Sequence, residues 1–265
     1  MLKREIKYLL PLEMLPKVRD FLSPYMRLDK FAGPKEAPDY TVRSVYYDTR
    51  SLKYYHEKID GLQNRIKVRI RSYNTYTKNS VTFLELKRKN GSHIFKNRYP
   101  LIFDQLDDVF SGKKIESNLK LKSRDRDREL FLYHIFSQSL NPVILVAYER
   151  EAYHYKFNPD LRITFDKDIR SIQTDKYSNL FETDNFINTF RNKFVLEMKF
   201  NKQFPGWLIS MIKSMHLQAR SVSKYTLSID KQLEMVTGVK QLMTIPRIQK
   251  YSLKRVLSRT ESDVR

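Results

Sequence analysis

The stretch RIKVRIR, Arg65 to Arg71, carries a basic residue at every second position and an aliphatic residue between. A strand turns successive side chains to opposite faces, so Arg65, Lys67, Arg69 and Arg71 share one face and Ile66, Val68 and Ile70 the other. Like charges lined up in this way repel one another unless the face lies in water or against something strongly anionic. Arginine suits phosphate best, because its planar fork donates two parallel hydrogen bonds. The same alternation recurs in FLELKRK, where Glu85, Lys87 and Lys89 oppose Leu84 and Leu86, and in VLEMKF, where Glu197 and Lys199 oppose Leu196, Met198 and Phe200. In EIK, Glu5 and Lys7 share a face, and in LRITFD, Arg162, Thr164 and Asp166 oppose Ile163 and Phe165. Such a surface is suited to phosphoryl transfer, which needs mainly positioning and charge neutralisation by Lys, Arg and a metal ion. A carboxylate in this field either neutralises a lysine, the reading favoured for Glu85, or offers hard oxygen to a divalent ion, for which Glu197, Glu5 and Glu149 are candidates.

Composition narrows the partners. The chain has 265 residues, 41% of them hydrophobic, enough for one substantial core. Its net charge of +20 and pI near 9.9 point to a polyanion. The absence of cysteine excludes disulfides, thiolate catalysis and cysteine-based zinc sites, and suits a reducing cytoplasm. The start, MLKREIKYLL, lacks a signal peptide's apolar core, and no run approaches the ~20 apolar residues that span a bilayer. A cytoplasmic protein is expected, with room for peripheral docking at the cytoplasmic face of a membrane. The six glycines are scattered, and neither G-x-x-x-x-G-K-[ST], G-x-G-x-x-G nor H-E-x-x-H occurs. Side chains, not a nest of backbone amides, must therefore hold any phosphate. His56, His93, His134, His154 and His216 do not fall at metal-ligand spacing.

The elements that must position these residues are mostly strands. EIKYLL, YTVRSVYYDT, RIKVRIRSY, PVILVAYEREAYHY, LRITFDKDI and KFVLEMKF read as strands, and VTFLELKRKNGSHIFKNRYPL as a hairpin turning at Asn90-Gly91. That turn pairs Lys87 with Ile94, Glu85 with Lys96 and Phe83 with Arg98, which brings Lys96 and Arg98 onto the charged face. Helices are predicted over PLEMLPKVRDFLSPY, residues 104–111, residues 124–140 and FPGWLISMIKSMHLQ, with Trp207 packed in the core. SVSKYTLSID is read as a closing strand, and residues 240–265 as a loosely ordered basic tail.

Two architectures fit the alternation. One is a sheet with its charged face in water; the other is an antiparallel β-barrel, an α+β fold, charged inside and covered outside by α-helices. The arginine content of the charged faces (Arg65, Arg69, Arg71, Arg98, Arg162) and the supply of amphipathic helices favour the barrel. Like charges about 4 Å apart cost ~4 kcal/mol even at an effective dielectric of 20, so a basic interior is sensible only around a polyanion.

At this point the chain resembles the triphosphate tunnel metalloenzymes, and within them the VTC-type polyphosphate polymerase domain. REIKY, YTVRSVYYDT, RIKVRIRSY, FLELKRK, KNRYP, AYEREAY, LRITFD, VLEMKF and SVSKY carry the resemblance, in the family's order, from about Arg4 to Asp230. It implies a tunnel barrel over residues 1–235, followed by a basic tail over 236–265. It implies transfer of the γ-phosphate of ATP to a growing polyphosphate chain, with Mn²⁺ or Mg²⁺. Carried over motif by motif, it makes Arg69, Arg71, Lys87, Lys199 and Glu197 the catalytic group. Lys7, Lys67, Lys96, Arg98, Arg150, Arg162, Ser223, Lys224 and Tyr225 become phosphate contacts, and Glu197 with Glu5 the metal ligands. The hydrolytic branch carries E-x-E-x-K near its start, whereas Lys3 stands at the first of those glutamates here. That departure favours a polymerase over a plain triphosphatase. With no regulatory domain before the tunnel and no membrane span after it, any regulator or export partner is expected on a separate chain, as in a stand-alone bacterial form. Two rivals stay open: a tunnel triphosphatase or polyphosphatase, and a non-catalytic polyphosphate-binding module. Nucleic acid is not an expected partner, because the basic residues alternate with aliphatic residues, not exposed aromatics.

Overall fold

The computed structural model describes residues 4–32, 38–91, 93–113, 125–201 and 205–237. In chain order the elements are β1 (Arg4–Pro11), α1 (Leu15–Leu22), β2 (Met26–Leu28), β3 (Tyr40–Asp48), α2 (Lys53–Ile59) and β4 (Arg65–Tyr73). Then come β5 (Val81–Asn90), β6 (His93–Ile102), α3 (Leu106–Phe110), α4 (Asp125–Ser137), β7 (Asn141–Tyr155) and β8 (Arg162–Gln173). The last are β9 (Ile187–Asn188), β10 (Lys193–Phe200), α5 (Gly206–Ser214) and α6 (Lys224–Thr237). All the strands join one antiparallel sheet in the order β1-β10-β8-β7-β3-β4-β5-β6, with β2 added to β7 and β9 to β8.

The period-two pattern decides which face points where. The outer face is apolar and divides into two clusters. Leu196, Met198, Phe194, Ile163 and Phe165 pack under Val18 and Leu22 of α1 and Leu208 and Met211 of α5. Val68, Ile70, Leu84, Leu86, Tyr99 and Leu101 pack under Leu106 and Val109 of α3 and Phe131 and Ile135 of α4. Each fully buried Leu, Phe or Met contributes about 1.5–3 kcal/mol by leaving water, so these helices are held by the sheet's oily side. Trp207 of α5 joins the first cluster, its ring stacked on Tyr25 at 4.3 Å.

The sheet curls into a barrel-like body, but backbone pairing does not close it: β1 and β6 are the two ends of the path, and no ladder joins them among the described residues. Across the gap, Lys96 of β6 lies within electrostatic reach of the like-charged Lys199 on β10 and of Glu5 on β1. One end of the interior is filled by apolar residues. Val42, Tyr46, Ile144, Val146, Tyr148 and Val195 of the inner face pack with Val222, Tyr225 and Ile229 at and along α6.

Three sequence expectations are corrected. SVSKYTLSID is not a strand but leads into α6. Tyr225, Leu227 and Ile229 satisfy a strand's period, yet burial follows Tyr225, Ile229 and Gln232, a helix's period, and Ser223 caps the first turn through the Thr226 amide. The hairpin turns one residue later than expected: β5 runs to Asn90, which pairs with His93, and Gly91 takes the first loop position with φ +56°. Mirror-image hairpin turns require positive φ there, which favours glycine. Lys96 therefore lies opposite Lys87 and Arg98 opposite Glu85; the two-residue shift in partner leaves every side chain on its expected face. Helix α2 was not anticipated. Its first amides, on Tyr54 and Tyr55, are accepted by the buried carboxylate of Asp48 at 2.9 Å each. The tail beyond Thr237, and Lys3, lie outside the described residues.

Candidate phosphate tunnel

Register carries one face continuously across the sheet. Opposite Lys7 on β1 stands Glu197 on β10, which stands opposite Thr164 on β8, and Thr164 opposite Ala152 on β7. Further round, Tyr46 of β3 faces Arg69, Arg69 faces Glu85, and Glu85 faces Arg98. By this path the barrel interior receives Glu5, Lys7, Lys67, Arg69, Arg71, Lys87, Lys96, Arg98, Arg162, Glu197 and Lys199, as the alternation and the hairpin predict, and Arg150, which only the family resemblance names. Glu149 turns the other way and is bound by Arg170 at 2.9 Å and by the Thr41 hydroxyl, so it does not join them.

Two carboxylates organise the arginines. Glu85 accepts from Arg69 Nε at 2.6 Å and lies 3.3 Å from Arg98 Nε and 3.8 Å from Arg71 Nε. Burial opposes its ionisation, but the three guanidinium groups overcome that and hold the carboxyl at about 2. Arg69 also donates to the Tyr46 hydroxyl at 3.0 Å, and Arg71 to Ser44 Oγ at 3.1 Å. Both forks are thus fixed before any ligand arrives. On the opposite wall Asp166, fully buried, takes both arms of Arg150 at 2.6 and 2.8 Å and Lys224 Nζ at 2.5 Å.

Two further carboxylates, Glu5 and Glu197, share a cation. Lys7 Nζ sits 2.9 Å from Glu5 Oε1 and 3.3 Å from Glu197 Oε2, and Lys199 pairs with the other Glu197 oxygen. Burial and the facing Glu197 work against Glu5, yet Lys7, Lys199 and Lys87 hold it at about 2. Burial likewise opposes Glu197, whose carboxyl Lys7, Lys199, Arg150 and Lys224 bring well below the usual range. Among the described residues no cluster of three or more His, Asp or Glu could hold a metal. Two ionised carboxylates around one cation position still fit a hard divalent ion, which takes one or two protein oxygens and fills its shell with water and phosphate.

Among the described residues Lys67, Lys87 and Lys96 make no ion pair, although Glu5 lies within electrostatic reach of Lys87 and Lys96. The Lys67 ammonium finds a hydroxyl, Ser223 Oγ at 2.8 Å, and its proton affinity is pushed well below the ordinary value by burial and by Lys7, Lys87, Arg69 and Lys58. Burial and neighbouring cations depress Lys87 and Lys96 in the same direction. A bound polyanion would remove that strain and raise all three, so binding must take up protons between the depressed values and the ordinary 10.5. Titrating trimetaphosphate, which does not itself titrate there, into the protein at a series of pH values below 10.5 should therefore show a window of proton uptake, read from binding heats in buffers of different ionisation enthalpy. Lys67→Gln should lose most of it. Heats independent of buffer would contradict this.

Helix α6 delivers the remaining candidates. Ser223 and Lys224 reach the inner face as described. Tyr225 does not offer its hydroxyl to a ligand: it donates to Asp48 at 2.5 Å and stacks on Tyr46 with ring centroids 5.0 Å apart, so it is an anchor for α6. The alternation in LRITFD already put Asp166 on the charged face; its role as the clamp on Arg150 needed the β7–β8 register, in which the two are opposite. Tyr46 and Ser44 carried no signal of their own, being ordinary strand residues until β4 pairs beside them.

The subunit 4 of the vacuolar transporter chaperone complex of Trypanosoma brucei brucei is 25% identical over 206 residues, or 65% of this chain. Those residues span 26% of that protein's length. Among solved structures, a Bacillus halodurans protein regarded as a candidate adenylate cyclase aligns over 84% of this chain and 96% of its own, at 12% identity and a TM-score of 0.48. A Hippeastrum candidate adenylyl cyclase, described as having a dominant triphosphatase activity, aligns over 87% and 96%, at 16% identity and the same TM-score of 0.48. A family model, that of the VTC domain, matches residues 2–232, nearly the whole described body, and the chain belongs to the VTC domain family.

Proposed function

We propose that this protein is a metal-dependent polyphosphate polymerase that transfers the γ-phosphate of ATP to a growing polyphosphate chain. The observation that carries the reading is the half-buried Lys67, its ammonium within electrostatic reach of Lys7, Lys87 and Arg69 and hydrogen-bonded to the Ser223 hydroxyl. An interior built this way is complete only with a polyanion in it. VTC domain membership, and the name of the trypanosome relative, direct the choice towards polyphosphate. The body is taken as residues 1–235, with the basic segment 236–265 as a tail.

In this reading Arg69, Arg71 and Arg98, held by Glu85, and Arg150, Arg162 and Lys224 on the facing wall bind the phosphates and hold the reacting groups in line. Lys7, Lys67, Lys87, Lys96 and Lys199 neutralise charge along the path, and Ser223 contributes a hydroxyl. A terminal oxygen of the chain attacks the γ-phosphorus, and the bond to the ADP oxygen breaks. Glu197 and Glu5 would hold Mn²⁺ or Mg²⁺, which when bound draws charge from the transferring phosphoryl group. No helix among the described residues is long and apolar enough to cross a membrane.

Purified protein given ATP and Mn²⁺ should form an acid-labile ladder of phosphate oligomers on a gel, and Arg69→Ala should form none. Orthophosphate without a ladder would make the protein a tunnel phosphohydrolase instead. Tight polyphosphate binding without turnover would make it a binding module.

A further inference from the structure

Among the described strand residues, two buried side-chain atoms on the inner face have no hydrogen-bond partner: Arg162 Nε and Thr164 Oγ1, two positions apart on β8. For Arg162 the reason is visible. Its far nitrogen is held by Asp29 Oδ2 at 2.8 Å and the Tyr40 hydroxyl at 3.2 Å, which turns the fork so that Nε is left over. For Thr164, 2% exposed, the fold supplies no reason. A valine would fill the same volume in a strand at least as well and would not strand a hydroxyl away from water.

The surroundings of Thr164 say what it lacks. Glu197 stands opposite it on β10 with its two oxygens already taken by Lys7 and Lys199, and Ala152 stands opposite on β7, fully buried and too small to reach it. Along its own strand the inner-face neighbours are Arg162 and Asp166, and Asp166 is spent on Arg150 and Lys224. The hydroxyl thus lies at a low point of the wall, between a phosphate-type arginine, an arginine–aspartate clamp and the glutamate proposed to hold the metal. An acceptor that comes from outside and suits those cations is an anionic oxygen. Arg162 and Lys199, opposite each other on β8 and β10 next to Thr164, are partly exposed and long enough to turn onto such an oxygen, and a ligand reaches the hydroxyl only if they do.

We infer that Thr164 is a phosphate-binding residue, its hydroxyl donating to the phosphoryl group that sits beside Glu197. The inference rests on the tunnel reading above and deepens it. It assigns the neutral donor in a wall of cations to the reacting end of the chain, where a charge-neutral hydrogen bond orients a phosphoryl group without over-binding it.

The test uses tripolyphosphate without metal, so it does not depend on turnover. Thr164→Val should weaken binding by calorimetry on the order of 10- to 100-fold, the range for a hydrogen bond to a charged group. Thr164→Ser should return it to within about threefold. The thermal midpoint of ligand-free Thr164→Val should equal or exceed that of the parent, because a stranded polar atom has been removed. Unchanged affinity in Thr164→Val overturns the inference, and so does a lowered ligand-free midpoint, which would reveal a partner within the protein. Arg69→Ala, run alongside, separates the two levels. If it abolishes binding while Thr164→Val leaves it intact, this inference alone fails. A parent that does not bind tripolyphosphate removes the tunnel reading and this inference together.

Discussion

Glu197→Gln should move two measurements in opposite directions: metal-dependent turnover falls at least about 10²–10³-fold, while metal-free affinity for tripolyphosphate rises. The side chain is 4% exposed, and glutamine keeps its shape and an oxygen for Lys7 or Lys199 to donate to. What it removes is one negative charge from between two lysines. Lys7 retains Glu5, but Lys199 loses its carboxylate, so the wall becomes more cationic and holds phosphate more tightly. A divalent ion held as proposed would meanwhile lose the more buried of its two carboxylates. Calorimetry in chelator, beside a turnover assay with Mn²⁺, reads both. Unimpaired turnover would mean that the ion sits elsewhere. Weaker metal-free binding would mean that Glu197 serves to orient the lysines, not to balance them.

The inner wall was legible because charge and backbone share a period of two. RIKVRIR, ELK and LEMK each announce which residues stand together, and no long-range information is needed to sort faces. Which residues meet across strands was harder. The hairpin shows why: placing the turn at Asn90-Gly91 or at the following pair shifts every partner by two, and alternation cannot sense an even shift. Lys96 was thereby matched with Glu85, where the structure sets it against Lys87. The second source of error was α6, whose opening residues satisfy both a strand's and a helix's period over so short a run. Tyr225 was assigned by motif to phosphate, but its use is settled by Asp48, which lies 177 positions away in sequence. Local pattern reports burial and face; it does not report which buried group spends which hydrogen bond.

Asp166 illustrates that limit and supplies the other large effect. Asp166→Asn leaves Arg150 and Lys224 buried and unpaired in a wall already rich in cations. Breaking a buried pair by removing one partner costs about 3–5 kcal/mol. For a chain of this size that lowers the thermal midpoint by roughly 6–20 °C. The sign of the pH dependence follows from the depressed carboxyl. Asp166 is held at about 2 against an ordinary 3.8, so its contribution is complete above 3.8 and is lost as the pH falls through about 2. Parent and variant midpoints should therefore converge only under strong acid. A polyanion offers the stranded cations a substitute for the missing carboxylate, so saturating tripolyphosphate should raise the midpoint of Asp166→Asn by more than it raises the parent's. A destabilised variant that the ligand rescues no better than the parent would show that Arg150 and Lys224 face a structural ion pair and not the substrate path. That result would take Arg150 and Lys224 out of the proposed phosphate path and leave it to the cations of β1, β4, β5, β6, β8 and β10.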